Sequence, residues 1–125
     1  MEATAAIPEP ESRAATPSGY VLVILRSGEN ANLHRVHDAA HRAFIDGLIK
    51  QNRILLGGAF GAPAGDAEAA YVLRSSSVDE ARAIVTADPL VGHGVCRADC
   101  VEWQLVGINP DAIDDAVIVR PRDIA

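Results

Sequence analysis

The sequence predicts an α+β protein of ferredoxin-like βαββαβ order: a four-stranded antiparallel sheet with two helices on one face. Three observations lead there. Four apolar segments carry the β-branched and aromatic residues of strands, two intervening segments carry helical spacing, and their order is strand, helix, strand, strand, helix, strand. At 125 residues, 49% hydrophobic and 22% charged, the chain has the length and apolar content for one core rather than two.

Each element has a local reason. Tyr20-Val21-Leu22-Val23-Ile24-Leu25 is an unbroken apolar run, as a central strand requires, and Ser27-Gly28-Glu29-Asn30 ends it. From about Asn32, a candidate N-cap, to Gln51 the pattern turns helical. Leu33, Val36, Ala40, Phe44 and Leu48 step by three or four, and Ala43 and Ile45 widen the stripe. Asn52 then suits the left-handed residue that ends a helix.

Ile54 to Phe60 reads as the second strand, with Gly57 and Gly58 permitting close backbone approach or a bulge. Gly61 to Asp66 reads as a loop and Ala69 to Arg74 as the third strand. Ser77 and Glu80 have capping-box spacing, and Ala81, Ile84 and Val85 supply the apolar face of the helix they open. Asp88-Pro89 closes it, because proline disfavours helix in the residue before it. Gly92-His93-Gly94 leads into a fourth strand over about Val95 to Val106.

Residues 1–18, with Pro8, Pro10 and Pro17 and no apolar period, read as a flexible arm, and 107–125 as a tail. In the tail, Ala116-Val117-Ile118-Val119 is a candidate edge strand or docking segment.

Helices on one face leave the other face of such a sheet bare. A second copy packed sheet to sheet is the natural cover, so a homodimer is expected.

Charge and composition exclude several partners. Seventeen acids against eleven bases give a net charge of −6, which argues against a phosphate-tracking nucleic-acid binder. No stretch approaches the roughly eighteen apolar residues that span a bilayer. Met1-Glu2-Ala3-Thr4 lacks a basic, apolar export signal, so a soluble cytoplasmic protein is expected. Cys96 and Cys100 lie four apart; in a strand that is the same face but roughly 13 Å, too far for a disulfide, so both are expected as reduced thiols.

The residues with chemistry are the histidines and one aspartate. His34, His37 and His41 follow one another at spacings of three and four on the first helix. His34 and His37 read as solvated. His41, beside the apolar stripe at the border of core and solvent, suits general acid–base work. His37-Asp38-Ala39-Ala40-His41 also resembles a H-E-x-x-H zinc motif with Asp for Glu, its third ligand to come from Asp88 or His93.

Asp88, at the end of the second helix, faces the unfavourable end of the helix dipole. It either accepts a donor from His41 or forms a simple turn before Pro89. No Walker loop, dinucleotide fingerprint or serine elbow is present.

Two stretches resemble the YCII-like (YciI-related) proteins. Ala40-His41-Arg42-Ala43-Phe44-Ile45, Leu48 and Arg53-Ile54-Leu55-Leu56-Gly57-Gly58 are similar to that family's helix with a histidine near its start, followed by a G-x-L-x-x-G-G/P strand. Ala87-Asp88-Pro89-Leu90-Val91 and Gly94-Val95 match its Ala-Asp-Pro helix end and glycine-containing link.

The resemblance runs from Tyr20 to Val106 and marks 19–106 as the YCII-like domain. It implies a dimeric ferredoxin-like α+β barrel, similar to muconolactone isomerase. It also implies an active site on a His–Asp pair, here His41 and Asp88, near the dimer interface. Asn52 replaces the family's usual glycine, and Ala59-Phe60 its Gly-Pro, so the pocket wall differs there.

The function expected is a cofactor-independent lyase, isomerase or cyclase on a small enolisable or aromatic molecule. His41 and Asp88 act as general acid and base, and His93, Tyr20, Phe44, Phe60 and Trp103 line the substrate pocket. The alternatives are a non-catalytic dimeric ligand-binding or assembly module, and a metal-dependent enzyme using His37 and His41.

Overall fold

In a computed structural model of the chain, which describes residues 19–117, the first strand β1 (Gly19–Ser27) lies inside the sheet. Its Val21, Val23 and Leu25 are sealed from solvent, and Leu22 and Ile24, pointing the other way, are half-buried. A strand flanked on both edges and apolar on both faces reads as an unbroken run, which is the pattern seen.

A 3-10 turn, Ala31–Leu33, leads into α1 (His34–Lys50). Asn32 therefore lies in the turn and does not cap; Leu33 holds the cap position without a side-chain bond. After Gln51, Asn52 has φ 58°, the left-handed stop expected of it.

β2 (Ile54–Ala64) and β3 (Ala67–Ser75) form a hairpin around Gly65, at φ 68°, and Asp66. The second strand thus continues through the stretch expected as a loop. Gly61, Ala62 and Pro63 are poor strand formers, but the two-residue turn, not their propensity, sets where pairing ends. Gly57 is needed here, because a Cβ on it would lie 2.5 Å from Tyr71 Cβ on the neighbouring strand.

Ser77 caps α2 (Val78–Thr86), accepting the Glu80 N–H at 3.0 Å, while the Glu80 carboxylate accepts from Ser75 and Ser76. The chain then makes a one-turn helix, α3 (Pro89–Gly92), before β4 (Cys96–Trp103). β4 ends short of Val106, and the described part of the tail that follows, to Val117, holds 3-10 turns at Pro110–Ala112 and Asp115–Val117. The expected edge strand is therefore absent as far as Val117; Ile118 and Val119, like the arm 1–18, lie outside the described residues.

The sheet order is β2-β3-β1-β4, all pairs antiparallel. Register places Val21, Val23, Leu25, Tyr71, Leu73, Cys96 and Cys100 on one face, under Phe44, Ile45 and Leu48 of α1, Ala81 and Val85 of α2, and Leu90 of α3. The opposite face carries Leu22, Ile24, Val72, Leu56, Val101 and Trp103, of which the last two are 51% and 45% exposed. Among the described residues, no helix is long and apolar enough to cross a membrane.

The inward face of α1 matches the predicted stripe only in part. Phe44, Ile45 and Leu48 pack in the core as expected, but Val36 is 72% exposed and Ala40 and Ala43 are exposed too. Small apolar residues cost little in water, so the larger side chains set the rotation of the helix.

Candidate active site

His41 and Asp88, 47 residues apart, meet where α1 crosses the joint between α2 and α3. His41 Nδ1 lies 2.9 Å from Asp88 Oδ1 and 2.8 Å from Oδ2. The carboxylate is fully buried and the imidazole is 18% exposed.

The joint explains why an aspartate stands there. The Asp88 N–H donates to Val85 O at 2.9 Å, closing α2. Its side chain then caps α3: Oδ1 accepts the Leu90 N–H at 2.9 Å, and Pro89 sits at the first helical position, where its missing N–H costs nothing. Asp88 therefore stands at the favourable end of a following helical turn, not at the unfavourable end of the helix before it. A buried carboxylate needs donors, and it has one from the backbone and one from α1.

An ionised carboxylate only accepts, so Nδ1 of His41 carries the hydrogen and Nε2 is left as the acceptor nitrogen. This is the arrangement in which a carboxylate orients an imidazole for proton transfer at its other nitrogen.

A second contact between the same elements lies next to the first. The rings of His37, one turn before His41, and His93, at the end of α3, stack with centroids 4.1 Å apart and planes at 10°. His37 and His34 are both half-buried rather than solvated, His37 by this stack and His34 with its Nδ1 4.0 Å from Asp38 Oδ1, while Arg42 holds the same Asp38.

Tyr71 was missed by the sequence reading, since a lone tyrosine in a strand carries no signal. Its hydroxyl is buried with no hydrogen-bond partner among the described residues, and burial, then the charges of Asp88 and Cys100, push its ionisation upward. The thiols are free; burial pushes Cys96 up to about 11 and raises Cys100 also.

The remaining expected pocket residues fall elsewhere or have structural surroundings. Phe44 packs against the core one turn beyond His41, and Phe60 is exposed on β2. Tyr20 and Trp103 are cross-strand neighbours at the far end of the sheet, where with Gly19, Glu102, Gln104 and Leu105 they line a cavity of about 300 Å³. They do not join His41 and Asp88. Among the described residues, no group of three or more His, Cys, Asp or Glu is arranged to hold a metal ion; the His37/His41 pair lacks the third ligand that reading requires.

Comparison with known proteins agrees with this architecture. The family model of the YCII-related domain matches residues 20–104. The uncharacterized protein YjpA of Bacillus subtilis (strain 168) is 33% identical over 86 residues, covering 69% of this chain and 94% of the relative.

Among solved structures, 5-chloro-2-hydroxyhydroquinone dehydrochlorinase (TftG) from Burkholderia phenoliruptrix AC1100, in complex with 2,5-dihydroxybenzoquinone, superposes with a TM-score of 0.53. It is 22% identical, with 67% of this chain and 93% of that one covered. At that identity the likeness shows the fold.

Proposed function

The chain belongs to the YCII-related domain family, and on that footing we propose that it is an enzyme of small organic molecules whose general acid–base pair is His41 and Asp88. The observation that carries the reading is the buried carboxylate of Asp88, 2.8 Å from an imidazole that still reaches solvent. A fully buried acid whose partner is half-open suits proton transfer better than it suits stability, because burying such a pair returns little net energy.

Asp88 holds Nδ1–H and stabilises the imidazolium. Nε2 takes a proton from a substrate hydroxyl or from carbon beside a carbonyl. The electron pair released forms a new C=O or C=C bond and expels a leaving group, or takes a proton back at another carbon. The first outcome is a lyase and the second an isomerase, and neither step calls for a cofactor. The dehydrochlorinase suggests the substrates to try first: hydroxylated, halogenated rings.

We also propose that two copies pack through the open sheet face around Leu22 and Val101, and that the protein, with two free thiols, works in the reducing cytoplasm.

The test is turnover, followed by absorbance and chloride release, over halogenated hydroquinones and small enolisable lactones. His41→Ala lowers kcat by roughly a hundredfold or more on any substrate found, and Asp88→Asn lowers it by a comparable factor. Equal rates in wild type and His41→Ala would remove the pair from the chemistry. Sedimentation of Val101→Arg tests the dimer: the variant runs as a monomer where the wild type does not.

The alternative of a ligand-binding module rests on the one cavity named above, at Tyr20 and Trp103, on the opposite side of the sheet from His41. Ligand affinity lost in Trp103→Ala and kept in His41→Ala would favour it.

A further inference from the structure

A one-turn helix holds Asp88, and one turn does not hold itself. Helix nucleation is unfavourable, and α3 has only four residues between Asp88 and His93. Its start is anchored by the Asp88 cap and by Leu90, buried in the core. Its end, by contrast, lies at the surface. The backbone there is tied to the loop after β1, through Asn30 Nδ2 donating to His93 O at 3.0 Å and Asn30 N–H to Gly94 O at 2.8 Å. Those bonds fix the end of α3 to the turn that leads into α1, about three turns ahead of the helix face on which His41 meets Asp88.

The side-chain contact between the end of α3 and the body of α1 is the stack of His93 on His37. His37 and His41 are one turn apart on the inward face of α1, and Asp88 and His93 stand at the two ends of α3. Beyond the core packing of Leu90, the two helices thus share one hydrogen-bonded and one stacked side-chain pair.

We infer that His37 and His93 are positioning residues. Their stacked rings clamp α3 against α1 and so keep the Asp88 carboxylate beneath His41. The role is carried by the flat faces of the rings, so a phenyl ring at position 93 serves as well as an imidazole, and a methyl group does not. Aromatic stacking of this kind contributes on a scale that shifts a local opening equilibrium by roughly two- to tenfold. The inference rests on the proposed function only for its consequence in turnover. Its test needs no substrate, so its failure would leave that function standing.

Proton and nitrogen NMR on the full chain makes the test. The readouts are exchange of the Val91, Gly92, His93 and Gly94 amides, which bond within and around α3, and the low-field His41 Nδ1–H resonance of an imidazole donating to a carboxylate.

In His93→Ala, exchange at those four amides rises by roughly two- to tenfold while the β1 amides keep their rates, and the His41 resonance broadens or moves upfield. His37→Ala, which leaves α3 itself untouched, does the same. His93→Phe retains the wild-type rates and resonance. Unchanged exchange and resonance in both alanine variants would overturn the inference. So would a phenylalanine variant that behaves like the alanine one, or acceleration spread equally over β1.

Discussion

Two sets of charged side chains in this protein lie at opposite extremes. At one end of the open sheet face, Arg26 and Arg97 stand directly across from each other on β1 and β4, with Asp66 and Asp99 between them: Arg26 bonds Asp99 at 2.6 Å and Asp66 at 3.0 Å, and Arg97 bonds Asp66. All four are in contact with water to a large degree. Across the sheet, His41 and Asp88 make a pair of similar length in which the carboxylate is fully buried.

The first set neutralises two like charges that the register forces together, at little cost and little gain, since exposed pairs are screened. The second removes a charge from water and must hold it with directed donors. Distance alone would rank the two sets together; burial separates a surface network from a candidate catalytic pair.

Substitutions break the contrast most sharply at Asp88. Asp88→Ala removes both the cap of α3 and the acceptor of His41, and we expect a loss of about 3 kcal/mol in urea unfolding. Asp88→Asn, which keeps the shape and the cap acceptor, loses less.

Alkaline pH comes next. Cys96 is raised from 9.0 to about 11 and Tyr71 is also raised, so the folded state retains protons that the unfolded chain gives up. The Cys96 contribution is complete below about 9 and is lost as pH climbs through the window from 9 to 11, while that of Tyr71 is lost only above about 10. Unfolding measured from pH 8 to 11 should therefore show stability falling, with a shallower slope in Cys96→Ala.

Tyr71→Phe removes a buried hydroxyl that has no partner among the described residues, so it is expected to be neutral or to stabilise by about 1 kcal/mol. A loss of the same size would mean that the hydroxyl is bonded. The smallest effect belongs to the surface network: Asp99→Asn should scarcely move the unfolding midpoint, and less still at high salt.

Much of the architecture was legible in the chain because its causes are local. The apolar run of β1, the Ser77 cap and the left-handed Asn52 each depend on neighbours within a few residues and are found where expected, though the Glu80 carboxylate accepts from Ser76 rather than closing the box on Ser77. The errors arose where a distant neighbour decided. β2 runs on past Gly61 and Pro63 to Ala64, which the hairpin pairs with Ala67 after a register shift beyond Ala59. α1 buries the Phe44, Ile45 and Leu48 part of its predicted stripe against the sheet and leaves Val36 and Ala40 to solvent.

The candidate site was legible in its two principal members, which the family resemblance pointed to, and not in its surroundings. Tyr20 and Trp103 were placed in it on aromatic character, which says nothing about the face of the sheet on which they lie. Tyr71 and the stack on His37 had no such marker at all.

Element order, strand and helix identity and the local stops follow from the chain alone, since backbone preference and periodic burial act over a single turn or pleat. Which imidazole comes to lie over which carboxylate does not. Residues 41 and 88 meet only because two helices cross over a common sheet at one rotation and one height. Both are set by the summed packing of side chains far apart in sequence, to which no short stretch of residues has access.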